Sequence, residues 1–281
     1  MEPSKMYNLV QSRYSELASR SFTEHTAVAE NVAKAFGYRP SELRSIPPNA
    51  NMGLSCGNPV AVANLQAGEV VIDLGSGGGM DVLLAAQKVG PTGKAIGVDM
   101  TRNMIELARE NAKKANAYNA VFLESAITSI PLPDATADCV ISNCVVNLVP
   151  TAEKPRAFRE MFRLLKPGGR LAMTDILVWK PLPDGMAMDL SLYVGCIAGA
   201  SRVQEYEEYL RNAGFEQVMI VDCQKDLNIY KEVFVDQDEA SCGCCQSGAG
   251  GSLKSGQSIA ERAEVNLNEW AGSFEIYALK S

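Results

Sequence analysis

The chain has eight cysteines among 281 residues, and their thiols are its most distinctive chemical groups. Five stand apart from one another (Cys56, Cys139, Cys144, Cys196 and Cys223), and three are bunched (Cys242, Cys244 and Cys245). This spacing is neither that of a zinc ribbon with two CxxC pairs nor that of a small secreted disulfide framework. Because such cysteines stay reduced inside a cell, we expect free thiols rather than crosslinks.

A glycine cluster at residues 73–79 (DLGSGGG) is a second candidate for chemistry. It closes a short apolar strand and opens a helix, and glycines there let the backbone turn tightly and approach a ligand closely. The dinucleotide fingerprint GxGxxG fails in register, because Met80 stands where the last glycine belongs. The alternative interpretation is a tight strand-to-helix turn that binds nothing.

Asp99 ends the next apolar strand, 26 residues after Asp73. A carboxylate in this place can accept hydrogen bonds from both ribose hydroxyls of an adenosine, although it could also cap the helix that follows. Asp99 alone does not separate NAD from S-adenosylmethionine. Met100 would pack on the adenine, with Ala126 and Ile127 on the other face of the ring, and plain core packing is the alternative for Met100.

Apolar strands alternate with amphipathic helices, which predicts a doubly wound α/β fold with a parallel sheet and helices on both faces. Strands are expected at residues 70–74, 94–99, 120–123, 138–142, 170–174, 217–221 and 273–279, and helices at 7–20, 23–36, 80–89, 102–116, 157–165 and 204–213. Ligands of such sheets bind at the carboxyl ends of the strands, where the strand order reverses. That point lies here between the first and fourth strands, so Cys144 is expected beside the reactive group of the cofactor.

Three thiol segments carry a resemblance to a known family. The incomplete glycine fingerprint and the turn at residues 166–169 (KPGG) look like the class I methyltransferase fold. Residues 142–148 (SNCVVNL), 193–200 (YVGCIAGA) and 54–59 (LSCGNP) resemble segments of the arsenite S-adenosylmethionine methyltransferases, with Ser55 replacing a glycine. Residues 98–101 (VDMT) also match. The resemblance implies a seven-stranded, Rossmann-like class I sheet with an N-terminal helical cap.

The resemblance also implies a reaction, the transfer of methyl groups from S-adenosylmethionine to thiol-bound trivalent arsenic in arsenic detoxification. Cys144, Cys196 and Cys56 would bind As(III) as catalytic thiolates, since soft sulfur ligands suit a thiophilic centre. An arsenic lone pair carries no proton, so its attack on the methyl group needs no general base. The single histidine, His25, is indeed far from every motif.

Cofactor and partners follow from the same resemblance. The residues implied in S-adenosylmethionine binding are Asp73, Gly75, Ser76, Gly77, Asp99, Met100, Ala126, Ile127 and Asn143. The substrate would be arsenite or its thiol conjugates, and a thiol reductant, glutathione or thioredoxin, would act as co-substrate. Thioredoxin would thus be a protein partner.

Other interpretations stay open at the level of the sequence. Free cysteines often only fill space, which is how we interpret Cys139 and Cys223. Cys144 and Cys196 would also be packing residues if the chain methylates an oxygen, nitrogen or carbon of a small organic molecule; arsenite-dependent consumption of cofactor separates the two. A protein that sequesters a metalloid without turnover needs no adenosine site, so the glycine loop and Asp99 argue against it.

One cysteine that many members of the family carry has no counterpart in this sequence. Many family members carry a further cysteine upstream for a disulfide relay, whereas no cysteine precedes Cys56 in this sequence. The Cys242, Cys244 and Cys245 cluster either substitutes for it or is a solvated loop. The number of methyl groups added, the reductant and the oligomeric state are not indicated by the sequence.

Composition and charge narrow the remaining possibilities. The formal charge of −7 and the absence of a long basic run make nucleic acid a poor partner. No stretch approaches the roughly 18 apolar residues of a membrane helix, and the polar residues 1–10 do not resemble a signal peptide, so we expect a cytoplasmic protein. Four regions are predicted: a helical cap (1–59), a cofactor-binding core (60–223), an irregular Gly/Ser-rich insertion (224–272) and a final core strand (273–281).

Overall fold

The computed structural model of the chain describes residues 2–19, 26–183, 196–230 and 266–281. His25, residues 193–195 of the second thiol segment, and the Cys242, Cys244 and Cys245 cluster lie outside the described residues. None of the helices in the described ranges is both long and apolar enough to cross a membrane.

Helices and strands alternate through the middle of the chain, as predicted. The helices of the described residues are α1 (Pro3–Ser19), α2 (Thr26–Ala35), α3 (Pro40–Arg44), α4 (Pro59–Val62), α5 (Met80–Val89), α6 (Arg102–Lys114), α7 (Lys154–Leu164) and α8 (Val203–Ala213). The strands are β1 (Val70–Leu74), β2 (Lys94–Asp99), β3 (Ala120–Glu124), β4 (Ala137–Asn143), β5 (Leu165–Val178), β6 (Glu216–Asp222) and β7 (Ala271–Leu279). Short 3₁₀ turns occupy Val146–Leu148, Thr151–Glu153, Leu227–Ile229 and Leu267–Glu269, among others.

The seven strands form one sheet in the order β3-β2-β1-β4-β5-β7-β6. Strands β1 to β5 pair in parallel, and β7 runs antiparallel between β5 and β6. The predicted doubly wound, seven-stranded fold with an N-terminal helical cap is therefore confirmed. Its order reverses between β1 and β4, where the sequence placed the ligand crevice.

Helices cover the two faces of the sheet with separate apolar cores. One core joins the sheet to α7 and α8 through residues such as Phe158 and Tyr206. The other joins it to α5 and α6 through residues such as Leu83 and Ile105. Both faces of the sheet are thus buried, which explains why the sequences of the parallel strands are continuous apolar runs.

A third cluster unites the cap with the ends of the central strands. Val10 of α1 and Val32 of α2 pack in it with Cys56, Cys144 and Cys196. The cap therefore closes over the three cysteines that the sequence singled out, and it places them in an apolar surrounding.

The fifth strand and the helix before it differ from the sequence prediction. β5 begins at Leu165 and continues through the predicted turn at residues 166–169, where its pairing with β4 is irregular and Gly168 has a positive φ of 78°. The backbone of Gly168 and Gly169 pairs there with Lys280, which extends the strand. Helix α7 begins at Lys154 because Pro155 fits the first turn of a helix.

An ion pair fastens β5 to the loop before β1. The guanidinium of Arg170 donates to both carboxylate oxygens of Glu69, at 2.8 and 2.7 Å, and to the carbonyl oxygen of Ala63 at 2.6 Å. Burial acts to raise the pKa of Glu69, but the hydrogen bonds from Arg170 and from the Gln66 amide outweigh it and lower the pKa.

We expect Arg170→Met to lower the free energy of unfolding by about 1–3 kcal/mol at pH 7, because a bidentate, partly buried pair is lost. The lowered pKa of Glu69 means that its stabilisation is present above the unfolded value and is lost as the pH falls. Urea unfolding of both proteins should therefore show a smaller difference at pH 3 than at pH 7. The matched control is Arg211→Met, whose pair with Glu207 is exposed, and we expect it to change stability by less than about 0.5 kcal/mol. Equal effects of the two substitutions would contradict this prediction.

Candidate active site

A cleft of about 980 Å³, partly open to solvent, lies at the carboxyl ends of the parallel strands. Open α/β sheets bind their ligands at this edge of the sheet. The glycine loop after β1 forms one wall, and Gly75 has a positive φ of 73° there. A Cβ on Gly75 would come within 2.2 Å of Val145. Glycine is therefore required both by the turn and by the close approach of the loop after β4.

The structure brings the predicted cofactor residues together. All nine of them line the cleft: Asp73, Gly75, Ser76, Gly77, Asp99, Met100, Ala126, Ile127 and Asn143. Cys144 lines it as well, whereas Cys56 and Cys196 do not. The hydroxyl oxygen of Ser76 is buried and has no hydrogen-bond partner among the described residues, and a Cβ on Gly97 of β2 would come within 2.7 Å of it.

Three buried acidic residues, Asp73, Asp81 and Asp99, line the cleft. Burial raises the pKa of Asp73 well above its usual value, and the charges of Asp81 and Asp99 add to this shift. Burial also raises the pKa of Asp81 and of Asp99. Because each negative charge is unfavourable beside the others, a cation in the cleft would stabilise all three ionised forms.

Asp99 does not cap the next helix, since Thr101 occupies the N-cap position of α6. Its carboxylate instead accepts hydrogen bonds from the backbone amides of Gly77, at 3.0 Å, and Thr101, at 2.8 Å. These bonds tie the glycine loop to the end of β2. Each oxygen keeps a lone pair for a ligand.

Asn143, the last residue of β4, connects the cleft with the thiols. Its amide nitrogen donates to the Asp81 carboxylate at 3.1 Å and to the Tyr38 hydroxyl at 2.9 Å. Its amide oxygen accepts from the Cys56 backbone at 3.1 Å and from the Thr174 hydroxyl at 3.1 Å. Since its hydrogen bonds are used within the protein, Asn143 organises the site from inside the wall of the cleft.

Three thiols meet beside the cleft. The sulfur atoms of Cys56 and Cys144 and a carboxylate oxygen of Asp175 all lie within 4.8 Å of one another. The sulfur of Cys196 lies 2.7 Å from the carbonyl oxygen of Cys144. Each of the three cysteines is at most 5% exposed. The structure thus places together the three cysteines that the sequence named, and Cys144 joins them to the cleft.

The backbone at two of these cysteines is unusual. Cys144 has a φ of 58° and Cys196 a φ of 65°, in the left-handed region that residues with a Cβ seldom adopt. Such conformations persist where the surrounding structure determines them, and they concentrate at functional sites. Cys144 directly follows the last residue of β4, so its conformation turns the chain at the carboxyl end of that strand.

Burial keeps these thiols protonated at neutral pH. It raises the pKa of Cys56 to about 12 and that of Cys144 well above its usual value. The pKa of Cys196 is also raised well above its usual value, first by its hydrogen bond with Cys144 and then by burial. The thiols therefore become good ligands only when a strong electrophile displaces their protons.

A buried polar network supports the thiols from behind. The Asp175 carboxylate, on β5, accepts from the Tyr206 hydroxyl at 2.7 Å and from the Asn147 amide at 2.8 Å. Burial raises the pKa of Asp175 to about 6, although the Tyr206 hydrogen bond and the charge of Lys154 oppose the shift. The Asn147 amide also donates to the carbonyl oxygen of Cys196 at 3.1 Å.

The loop that carries Cys56 is fixed by residues far along the chain. The Tyr230 hydroxyl donates to the carbonyl oxygen of Ser55 at 2.7 Å, and the Ser273 hydroxyl donates to that of Cys56. Gly57 stands against Thr174, which a Cβ would approach within 2.5 Å. The loop therefore has little freedom to move.

The first helix closes one side of the cleft. Tyr7, Val10 and Tyr14 of α1 line the cleft, and the Gln11 side chain donates to the carbonyl oxygen of Met100 at 3.0 Å. None of these four was named from the sequence. The amphipathic pattern of α1 predicted a buried face, but it gave no indication of what that face covers.

Other site residues were also missed. Asp81 lies in the first turn of α5, and Asp175 is an acidic residue that interrupts the apolar second half of β5. Acidic residues in such positions are the signal that could have identified them. Tyr38 and Tyr206 carry no comparable signal, because tyrosine is common in apolar cores.

The chain is similar to known methyltransferases. Residues 65–214 match a family model described as a methyltransferase domain. An arsenite methyltransferase of Halobacterium salinarum is 45% identical over 206 residues, which is 73% of this chain and 52% of the relative. An arsenite methyltransferase of Aquipseudomonas alcaligenes is 32% identical over 226 residues, which is 78% of this chain and 64% of the relative. This chain therefore spans between half and two thirds of the length of these curated relatives.

A solved structure shares the fold over most of the chain. The crystal structure of an arsenic(III) S-adenosylmethionine methyltransferase from Chlamydomonas reinhardtii superposes with a TM-score of 0.54 at 26% sequence identity. The match covers 89% of this chain and 73% of that one.

The raised thiol pKa values predict slow alkylation that accelerates with pH. In the native protein we expect iodoacetamide to label Cys56 at a rate that still rises at pH 10, because its pKa is about 12. An unperturbed thiol levels off above a pKa of about 8.5, and the same cysteine in guanidinium chloride provides that control. Peptide mass spectrometry gives both rates. A plateau below pH 9 in the native protein would show that the thiolate is stabilised rather than disfavoured.

Proposed function

Because this chain belongs to the methyltransferase domain family, we propose that it transfers methyl groups from S-adenosylmethionine to trivalent arsenic held by its own thiols. The observation that carries the proposal is the meeting of Cys56, Cys144 and Cys196 beside the cleft, with Cys144 in its wall. A methyltransferase acting on oxygen or nitrogen has no need of three thiols at this place. The names of the arsenite methyltransferases that it resembles support the same substrate.

The cleft fits a cationic cofactor. S-adenosylmethionine carries an ammonium and a sulfonium group, and these positive charges would stabilise the ionised forms of Asp73, Asp81 and Asp99. The glycine loop leaves room for close approach of a ligand. We assign Asp99 to the ribose hydroxyls and Met100, Ala126 and Ile127 to the adenine. We assign Asp73 and Asp81 to neutralising the ammonium group.

The thiols would hold the substrate and orient it. When bound, S-adenosylmethionine supplies a methyl group on a positively charged sulfur, which leaves as the neutral thioether. Cys144 presents arsenic to that methyl group, while Cys56 and Cys196 complete a three-sulfur site. Arsenic uses its lone pair to form the bond to carbon, so no side chain has to remove a proton. The apolar third core excludes water from the thiols.

Turnover would require a supply of reducing equivalents. Methyl transfer to arsenic by its lone pair raises the formal oxidation state of arsenic by two, so a thiol reductant, glutathione or thioredoxin, is the expected co-substrate. Thioredoxin is accordingly a proposed partner, and arsenite or its thiol conjugates are the proposed substrates. The cytoplasm, where thiols stay reduced, is the compartment in which we expect the reaction.

Asp99→Ala tests the cofactor assignment. We expect calorimetry to show S-adenosylmethionine binding weakened by about 1–3 kcal/mol, because two ribose hydroxyls lose a charged acceptor. Asp138→Ala, which removes a carboxylate at the opposite end of the sheet, is a matched control and should leave affinity unchanged. An unaltered affinity in Asp99→Ala would remove the ribose assignment.

Cysteine-to-serine variants test the substrate. Methyl transfer from S-adenosylmethionine to arsenite, with added thiol, should be abolished in Cys144→Ser and in Cys196→Ser, since a hydroxyl keeps the shape but binds arsenic poorly. Cofactor binding should remain nearly intact in both. Cys56→Ser should harm the first methylation more than a later one, because a methylated arsenic needs only two thiolates.

The matched control for these variants is Cys139→Ser, within β4 and outside the thiol group. We expect it to affect stability at most. If Cys144→Ser and Cys196→Ser methylate arsenite at wild-type rates, the arsenic proposal is wrong, and a small organic substrate takes its place.

A further inference from the structure

Lys154 is a buried lysine that no step described above uses. It is 0% exposed, and no carboxylate of the described residues lies within ion-pair distance, 4.0 Å, of its amine. Its Nζ instead donates to the carbonyl oxygen of Gly199 at 2.6 Å and to the Ser201 hydroxyl at 2.9 Å. An ammonium group is costly to bury, and burial lowers the pKa of Lys154 to about 8, although the charges of Asp175 and Glu205 oppose the shift. The burial of an ammonium group here indicates that its hydrogen bonds to Gly199 and Ser201 have a structural role.

The two acceptors lie on the turn that carries the third thiol. Residues 196–201 form a compact turn in which the Ala200 amide bonds to the carbonyl oxygen of Ile197 at 3.0 Å. At the other end of the turn, the Asn147 side chain donates to the carbonyl oxygen of Cys196 at 3.1 Å. The turn is therefore held at both ends by buried side chains, Asn147 at its start and Lys154 at its finish.

The hydrogen bonds of Asn147 and Lys154 maintain an unusual backbone conformation at Cys196. Cys196 has a φ of 65°, which a residue with a Cβ adopts only when its surroundings determine it. In that conformation its sulfur lies 2.7 Å from the Cys144 carbonyl oxygen. If the turn relaxed toward an ordinary φ, the Cys196 thiol would leave this position beside Cys144.

We propose that Lys154 is a positioning residue for the third thiol: its ammonium group holds residues 199–201 so that the Cys196 sulfur stays beside Cys144. For arsenic capture the proposal rests on the proposed function. The placement of Cys196 itself does not depend on it, and the two can be measured separately.

The first experiment measures the placement of Cys196 without arsenic. The ligand-free proteins are treated with iodoacetamide, and labelling of each cysteine is followed by peptide mass spectrometry. Lys154→Met keeps the length of the side chain but loses both bonds, so we expect Cys196 to react about tenfold faster than in the wild type. Cys139, buried in β4, is the internal standard and should not change.

Two further variants serve as controls. Lys166→Met removes a lysine of β5 whose amine bonds to Asp138, at the start of β4, at 2.8 Å. Labelling of Cys196 should stay at the wild-type rate in this variant. Ser201→Ala removes only one of the two acceptors, so we expect a smaller acceleration, about threefold. Ser201→Ala also keeps the test open if Lys154→Met does not fold.

The second experiment measures arsenic binding by the absorbance of arsenic–thiolate bonds. Arsenite, which takes three thiolates, should bind Lys154→Met about tenfold more weakly. Phenylarsine oxide, which takes two, should bind normally through Cys56 and Cys144. Affinity for S-adenosylmethionine should also be unchanged.

The two experiments distinguish failure of the positioning role of Lys154 from failure of the proposed function. An unchanged Cys196 labelling rate in both Lys154→Met and Ser201→Ala would overturn the positioning role, whatever arsenic does. An equal loss of both arsenicals and of the cofactor would overturn it too, because it would reveal a general defect of folding. If the wild type binds no arsenite, the proposed function fails, and the labelling rates still decide the role of Lys154.

Discussion

The site depends on the side-chain amide of Asn143, because this one group bonds to both of its halves. It stands at the end of β4, which pairs with β1 on one side and with β5 on the other. From there it donates to Asp81, in the wall of the cleft, and accepts from the backbone of Cys56. An aliphatic residue of equal size would leave buried polar groups unpaired on both sides. Asn143 therefore fixes the position of the loop that carries Cys56 relative to the first turn of α5.

Burial raises the pKa of the acidic groups and of the thiols alike, but the consequence differs between the two parts of the site. In the cleft, Asp73, Asp81 and Asp99 interact through their charges, so a bound cation would stabilise their ionised forms. Among the thiols burial favours the neutral form, so Cys56 and Cys144 hold their protons until an electrophile arrives. Under the proposed function this division keeps the methyl donor and the sulfur ligands apart. A permanently ionised thiolate beside a sulfonium group would itself be a competing nucleophile.

Local pattern accounts for much of the fold and for the place of the site. The strands at 70–74 and 94–99 and the helix at 80–89 have the predicted bounds, since each is an apolar run ended by glycine or aspartate. Strand order then explains why Cys144 borders the cleft. What the sequence did not reveal depends on tertiary neighbours. The early start of β5 depends on the pairing of Leu165 with Ala137 and of Gly168 and Gly169 with Lys280. Nothing around Lys154 in the sequence indicates a buried amine. The hydrogen-bond partners of Asn143 could not be predicted from the sequence either, because they come from distant segments of the chain.

The left-handed backbone at Cys144 and Cys196 has a consequence for engineering. Glycine or asparagine adopts this conformation at lower cost than cysteine. A campaign for heat resistance guided by backbone geometry alone would choose these two positions early. Each replacement would remove a thiol, so heat resistance and sulfur chemistry compete for the same residues. Stabilised forms of this protein should therefore be sought by substitutions elsewhere, with both cysteines held fixed.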